Sequence, residues 1–177
     1  FRTLQGTPEW MVCVLLYNFC AFALQMPLGA LADRFDRNGL TAAMGCALVA
    51  AAYLLPAGLA MAVTAGMGNA LFHLGGGIDV LNRSEKRCAA LGVFVSPGAF
   101  GLYLGTAWGQ GASAPLIIGP AVLVLLAAVI LGVSRRCLGG FRSGNAAFDT
   151  AVPAGLRPMV PLFLVVVLRS YMGMNQA

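Results

Sequence analysis

The stretch GALADRFDRNGL, residues Gly29–Leu40, concentrates charge in a chain that is otherwise strongly apolar. Two acids and two bases alternate within it, directly after a long uncharged run: Asp33, Arg34, Asp36 and Arg37. Two arginines alone would suit an ordinary loop beside a membrane helix. Such a loop does not explain the two acids or the small residues that precede them. Their explanation depends on the rest of the chain.

The composition indicates a membrane protein. Apolar residues make up 59% of the chain and charged residues only 10%, whereas a typical soluble domain has about 25% charged residues. Because so few charges cannot cover a water-facing surface, the sequence predicts an integral membrane protein. The net charge of +5 comes without a basic patch interleaved with aromatic residues, so we expect no nucleic-acid partner.

Several kinds of chemical site are disfavoured by the residues present. The five cysteines are scattered without metal-ligand or redox spacing, and most lie in apolar runs where Cys packs as a small hydrophobic residue. The single His has no Ser or Cys at a spacing that suits nucleophilic catalysis, and no glycine-rich loop follows a strand. We therefore expect no disulfide, no metal, no cofactor and no enzymatic activity.

Long apolar runs predict transmembrane helices, since about 20 apolar residues are needed to cross a bilayer. These runs are Trp10–Ala32, Gly39–Ile78, Cys88–Ser134 and the stretch from Pro158 onward. The second and third are each long enough for two helices, and glycine- or proline-containing turns break them at Pro56–Gly58 and Gly109–Ser113. The sequence thus predicts an all-α bundle of five complete transmembrane helices and part of a sixth.

The connecting loops carry very different charge on the two sides of the predicted membrane. Loops 33–38, 79–87 and 134–157 share one side and hold nine of the eleven basic residues. Since basic loops stay in the cytoplasm, we expect this side to be cytoplasmic in a bacterial inner membrane. Residue 1 then lies outside, which predicts an upstream helix that this sequence lacks. We expect an N-terminal bundle over 1–133, a cytoplasmic linker over 134–157 and the start of a second bundle over 158–177.

With the loops placed in this way, the charged stretch resembles the signature loop of the major facilitator superfamily of secondary transporters, G-x-L-x-D-R-x-G-R-R/K. The matching positions are Gly29, Leu31, Asp33, Arg34 and Arg37. Two positions depart, because Asp36 stands where the family usually has Gly and Asn38 where it has a second basic residue. The resemblance implies a fold of about twelve helices, of which this chain spans the second to the start of the seventh.

The resemblance also implies a role for the charges. In the family, the Asp of this loop caps a helix of the other bundle, and the first Arg pairs with an acid that ends the fourth helix. Carried over, these residues are Asp33, Arg34 and Asp79, with a smaller part for Arg37. Together they would hold the two bundles closed on the cytoplasmic side while the protein opens outward, and so bias a two-state equilibrium.

Polar residues inside the predicted spans are candidates for substrate or proton contacts. Arg169 is expected near the bilayer midplane, where an Arg costs at least about 2.5–3.5 kcal/mol. It either contacts an anionic substrate or pairs with an acid elsewhere in the protein. His73 either carries a coupling proton or hydrogen-bonds to a neighbouring helix. The remaining candidates are Asn69, Gln176, Asn18 and Gln25, of which the last two also suit hydrogen bonds between helices.

Glycine and proline mark two further stretches. Gly75, Gly76 and Gly77 either admit a close neighbour or soften their helix for movement. The second stretch combines one proline with three glycines: Pro97, Gly98, Gly101 and Gly105. It matches the glycine–proline motif of exporters in the family poorly, and therefore gives only slight support for export.

The expected function is secondary active transport of a small organic solute by rocking alternating access. Proton coupling follows from its prevalence in the family, and Arg169 favours an anionic substrate. Two alternatives stay open, namely drug-type efflux of a neutral or cationic compound and a non-transporting sensor or assembly protein on the same scaffold. The expected partners are the lipid bilayer, the solute, protons and the remaining helices of the full-length chain.

Overall fold

The structure, a computed structural model, describes residues 6–85, 88–110, 117–136 and 144–145, together with Leu164 and Leu168. Helices account for 86% of the described residues and no strand occurs among them, which confirms the all-α prediction. The helices are α1 (Pro8–Asn18), α2 (Gln25–Phe35), α3 (Asn38–Ala52), α4 (Leu59–Arg83), α5 (Cys88–Val95), α6 (Pro97–Gln110) and α7 (Ile118–Arg136), and a π-helical segment, Phe19–Ala23, joins α1 to α2.

The chain separates into two compact units. The first runs from Phe1 to Ala146 and the second from Ala147 to Ala177. Their boundary falls inside the predicted linker 134–157, so the beginning of that segment belongs with the first unit. In the second unit, Leu164 and Leu168 are the described residues, and both are helical.

The long run Gly39–Ile78 forms two helices, with a break where proline and glycine predict one. Helix α3 ends at Ala52 and α4 begins at Leu59. Gly58, which precedes α4, has φ 154° and ψ −160°, a backbone region that is essentially restricted to glycine. The turn therefore depends on the absence of a side chain at this position.

Small residues bring α3 and α4 into backbone contact. A Cβ atom on Gly68 would lie 2.7 Å from Val49 Cγ2 and 2.8 Å from the main-chain oxygen of Gly45. A Cβ atom on Gly45 would in turn overlap the main-chain nitrogen of Phe72. Close approach of this kind drives helix association in lipid, where the surrounding acyl chains remove the hydrophobic advantage of burying large side chains.

Helix α7 packs against α3 in the opposite direction. Near the start of α7, a Cβ atom on Gly119 would lie 3.1 Å from the hydroxyl oxygen of Tyr53, which follows α3. Near the end of α7, Ser134 is buried and lies against Gly39 in the first turn of α3. The loop before α3 and the chain leaving α7 therefore meet at the same end of the bundle.

The predicted helix after Cys88 is interrupted once. Helix α5 ends at Val95 and α6 begins at Pro97, with Ser96 in a turn between them. Proline has no N–H to continue the helical hydrogen bonds and disfavours helical geometry in the residue before it. Phe94 at the end of α5 contacts α4 at Gly76.

Among the described residues, three helical stretches are long and apolar enough to cross a membrane: Pro8–Phe35, Cys88–Gly105 and Ile118–Arg136. Helix α3 is apolar but has only 15 residues. Large apolar side chains are widely exposed, as at Met26 and Leu54, which are 81% and 84% exposed. Helices of this length and composition indicate a membrane protein, and the predicted number of spans stays a prediction.

Candidate functional site

The candidate site lies at the end of the bundle where α2 passes into α3. Helix α2 ends at Phe35, and Asp36 adopts the left-handed conformation with φ 50° and ψ 43°. Its N–H donates to the main-chain oxygen of Ala32 at 2.9 Å and so closes the helix end. Glycine reaches this conformation without steric cost, and Asp is one of the few other residues that visit it. A tight turn is therefore formed although Asp36 stands where the motif has glycine.

Beside this turn lies a group of side chains that we term the asparagine junction: Asp36, Asn38, Asn82 and Asn145. The amides of Asn38 and Asn145 pair reciprocally, with Nδ2···Oδ1 distances of 2.7 and 2.8 Å. Asn82, near the end of α4, donates to the same Asn145 oxygen at 2.8 Å. The main-chain N–H of Asn145 donates to Asp36 Oδ1 at 2.8 Å.

The asparagine junction unites the three loops that the charge distribution assigned to one side. Asp36 and Asn38 belong to loop 33–38, Asn82 to loop 79–87, and Asn145 to segment 134–157. Asn38 is fully buried, and no buried side-chain polar atom in the described residues lacks a hydrogen-bond partner. An unsatisfied buried amide would cost about 1–3 kcal/mol, so Asn38 depends on this network.

The charged candidates lie near the ends of α2 and α4. Asp33 is half-buried, whereas Arg34 and Arg37 are exposed. Asp79 forms an ion pair with Arg83, one turn later on α4, at 2.8 Å between Oδ2 and Nε. Among the described residues, no ion pair joins Arg34 to Asp79. Gly29 of the motif faces α4, where a Cβ atom would lie 3.4 Å from Leu74 Cδ2.

His73 lies in an aromatic setting on α4. Its ring meets that of Phe94 edge-on at 6.1 Å between centroids, and that of Phe72 at 5.6 Å. Asn69, one turn earlier, is half-buried like His73. Within the described part of the chain, neither side chain makes a hydrogen bond, so the bond to a neighbouring helix considered for His73 is not seen there.

Asn18 and Gln25 donate within their own segment. Asn18 Nδ2 bonds to the main-chain oxygen of Val14 at 2.8 Å, and Gln25 Nε2 to that of Ala21 at 2.7 Å. Each donates to the carbonyl four residues earlier, that of Gln25 lying inside the π-helical segment, and among the described residues neither side chain bonds to a partner helix. No residue pattern predicted this π-helical segment.

The glycines singled out in the sequence fall into two groups. Gly75 and Gly76 lie against neighbours, the first at the main-chain oxygen of Asn38 and the second at the ring of Phe94, whereas a Cβ atom on Gly77 would meet ordinary van der Waals contacts. In α6 a Cβ atom would meet nothing within 4 Å at any of three positions: Gly98, Gly101 and Gly105. Pro97 begins that helix.

Two candidate residues, Arg169 and Gln176, lie outside the described residues. The described residues contain no group of three or more His, Cys, Asp and Glu side chains that could hold a metal ion. No model of a known protein family matches the chain, and no curated protein and no solved structure matches it.

Proposed function

We propose that this chain is part of a secondary transporter of the major facilitator type, which moves a small organic solute across a membrane by alternating access. The turn at Asp36–Asn38 would lie on the cytoplasmic side, at the moving contact between two helical bundles. A proton gradient would drive the solute, and an anionic solute is favoured.

The observation that carries the proposal is the meeting of the three basic loops at the asparagine junction. Loops 33–38, 79–87 and 134–157 hold nine of the eleven basic residues of the chain, and residues of all three lie within hydrogen-bond distance there. Since basic loops are retained in the cytoplasm, this arrangement supports a single orientation of the bundle. It also supports a bundle whose signature turn, α4 end and linker act together.

The charges at the turn support a contact with a second bundle. Asp33 is half-buried and makes no hydrogen bond or ion pair with another described residue, and the exposed Arg34 makes none either. A carboxylate in such a position is stabilised by a cation or by the N-terminus of a helix. This cation or helix N-terminus would belong to the second bundle, so that its contact with Asp33 forms in one state of the transporter and breaks in the other.

The polar residues of α4 support a solute or proton path. Asn69 and His73 lie one turn apart in an apolar bundle and make no hydrogen bond to another described residue. Polar groups inside membrane proteins usually face the bundle interior or a water-filled cavity and mark the path of a substrate or ion. In this proposal Arg169 contributes the positive charge that attracts an anionic solute.

The test is solute flux through the full-length protein in proteoliposomes. Vesicles with an imposed pH gradient are offered a panel of labelled organic anions, cations and neutral compounds. We expect uptake of an anion that stops when the gradient is collapsed, and that falls at least tenfold in Asp33→Asn. Thr41→Ala, whose hydroxyl donates to the Arg37 carbonyl just before α3, is the control and keeps full uptake.

Other results would redirect the proposal. Transport of cations or neutral compounds only would favour drug-type efflux. Absence of flux for every compound, with protein that is folded and correctly oriented in the vesicles, would refute transport and favour a sensor or assembly protein.

A further inference from the structure

Segment Gly144–Asn145 returns to the bundle after α7 and is held there by hydrogen bonds. Gly144 has a positive φ of 70°, a conformation that glycine adopts freely. Asn145 then uses its main-chain N–H, its side-chain oxygen and its side-chain nitrogen in four hydrogen bonds to three residues. The segment is thereby fastened to the ends of α2, α3 and α4.

The chemistry of this contact requires an amide at position 145. Its oxygen accepts from both Asn38 and Asn82, while its nitrogen donates to the oxygen of Asn38. A carboxylate could accept these bonds but could not donate one, and a hydroxyl group has a single proton to give. Asp36 adds a requirement, because its carboxylate lies at the Asn145 N–H and would repel a second negative charge.

The contact also rests on hydrogen bonds that water can replace. Asn82 is exposed and Asp36 is half-buried, so part of the junction borders solvent. Hydrogen bonds of this kind contribute modestly in net terms because the separated groups bond to water instead. A few such bonds are therefore strong enough to hold a loop in place and weak enough to release it.

We propose that Gly144–Asn145 is a releasable latch, which docks the chain after α7 onto the α2–α3 turn and the end of α4. Docked, Asn145 positions the turn that carries Asp33 and Arg34, through its bonds to Asp36 and Asn38. Released, the turn loses these supports and with them the geometry needed to meet a second bundle. Docking stands on the observed bonds alone, whereas its role in gating rests on the proposed function.

Trypsin cleavage after Arg142, three residues before Asn145, measures the release. The full-length protein is digested in lipid nanodiscs, and cleavage after Arg142 is followed by mass spectrometry relative to cleavage after Arg2. Since proteolysis tracks the population of the open form, loss of the side-chain bonds in Asn145→Ala should raise the relative rate about tenfold. Asn18→Ala, whose amide donates to the Val14 carbonyl on α1, away from the junction, should leave the rate unchanged.

A pair of charge variants separates latching from general damage. Asn145→Asp loses the donor and places a carboxylate beside Asp36, so it should release the segment at least as strongly as Asn145→Ala. Asp36→Asn alone keeps an oxygen that accepts from the Asn145 N–H and should stay docked. Combined with Asn145→Asp, it should restore at least half of the lost protection, which a merely misfolded variant would not show.

Each result decides the proposal. Equal cleavage in Asn145→Ala and the parent protein, or no recovery in the double variant, would overturn docking. If docking behaves as expected, solute flux is measured on Asn145→Ala and on the control Thr41→Ala, and Asn145→Ala should slow uptake severalfold while Thr41→Ala does not. Release without any change in flux would overturn the gating role, whereas a parent protein that moves no solute would refute the proposed transport and leave the docking result intact.

Discussion

A Cβ atom on Gly75 would overlap the main-chain oxygen of Asn38, so α4 and α3 are in backbone contact at the end of the bundle that carries the asparagine junction. The same Cβ atom would lie 3.1 Å from the Cα of Ala42. Neither neighbour is the flexible end of a side chain, so neither can move aside without shifting a helix. The position of Asn38 therefore depends on the absence of a side chain at Gly75 of α4.

Replacement of Gly75 by alanine should separate the two helices and destabilise the bundle. Overpacking of this kind costs about 1–3 kcal/mol, and it should also loosen the asparagine junction through Asn38. The measurement is thermal unfolding of the protein in nanodiscs, followed by helical circular dichroism. Gly92→Ala in α5 is the matched control, since a Cβ atom there meets nothing within 4 Å, and its melting temperature should not fall. An unchanged melting temperature for Gly75→Ala would contradict the backbone contact.

The left-handed conformation of Asp36 predicts different effects for two substitutions that remove the same charge. Asp36→Asn should preserve stability within about 0.5 kcal/mol, because Asn tolerates this conformation and offers an oxygen to Asn145. Asp36→Val should cost about 1–2 kcal/mol, since its branched Cβ clashes with the backbone there. Unfolding of both variants in nanodiscs gives the comparison, and equal melting temperatures would mean that the turn at 36 is not left-handed.

The break between α3 and α4 shows what the sequence could predict. Because proline and glycine act locally, the turn at Pro56–Gly58 was readable from a few residues. The ion pair between Asp79 and Arg83 could also have been read in this way, since oppositely charged residues four apart on a helix are neighbours. The resemblance to the transporter family instead predicted that Asp79 pairs with Arg34, a residue of a different loop.

The asparagine junction could not be predicted from such local rules. Asn145 bonds to Asp36 across 109 residues, and the pairing depends on how α7 lies against α3. Asn38 entered the sequence argument only as a departure from a motif, although it is fully buried. The one signal available was a Gly–Asn pair in a polar segment, which is typical of many surface turns.

Because His73 packs among aromatic rings, we expect its proton-binding imidazole to matter more for transport than for stability. The free energy of unfolding of His73→Phe should lie within about 0.5 kcal/mol of that of the parent protein. The ring shape is kept beside Phe72 and Phe94, and no hydrogen bond to a described residue is lost. If His73 carries the coupling proton, gradient-driven uptake should fall at least tenfold while exchange of solute without a gradient continues. Retention of gradient-driven uptake would remove His73 from the coupling path.

The two ends of the bundle should be labelled from opposite sides of the membrane. Leu54, in the turn after α3, is 84% exposed, and Arg83, at the end of α4, has a side chain that is 44% exposed. Two native thiols are first changed to Ser, Cys88 because it is exposed and Cys137 because it lies in the predicted cytoplasmic segment 134–157. In this background Leu54→Cys should react with an impermeant maleimide in intact cells. Arg83→Cys should react only after the membrane is opened.

This labelling pattern follows from the positive-inside rule applied to three loops that meet at one end. A third position, Ser134→Cys, borders Gly39 at that end but is buried, so it should stay unlabelled in the folded protein even in opened membranes and react only after denaturation. Labelling of Arg83→Cys in intact cells would reverse the orientation, and the turn at Asp36 could then no longer act as a cytoplasmic contact.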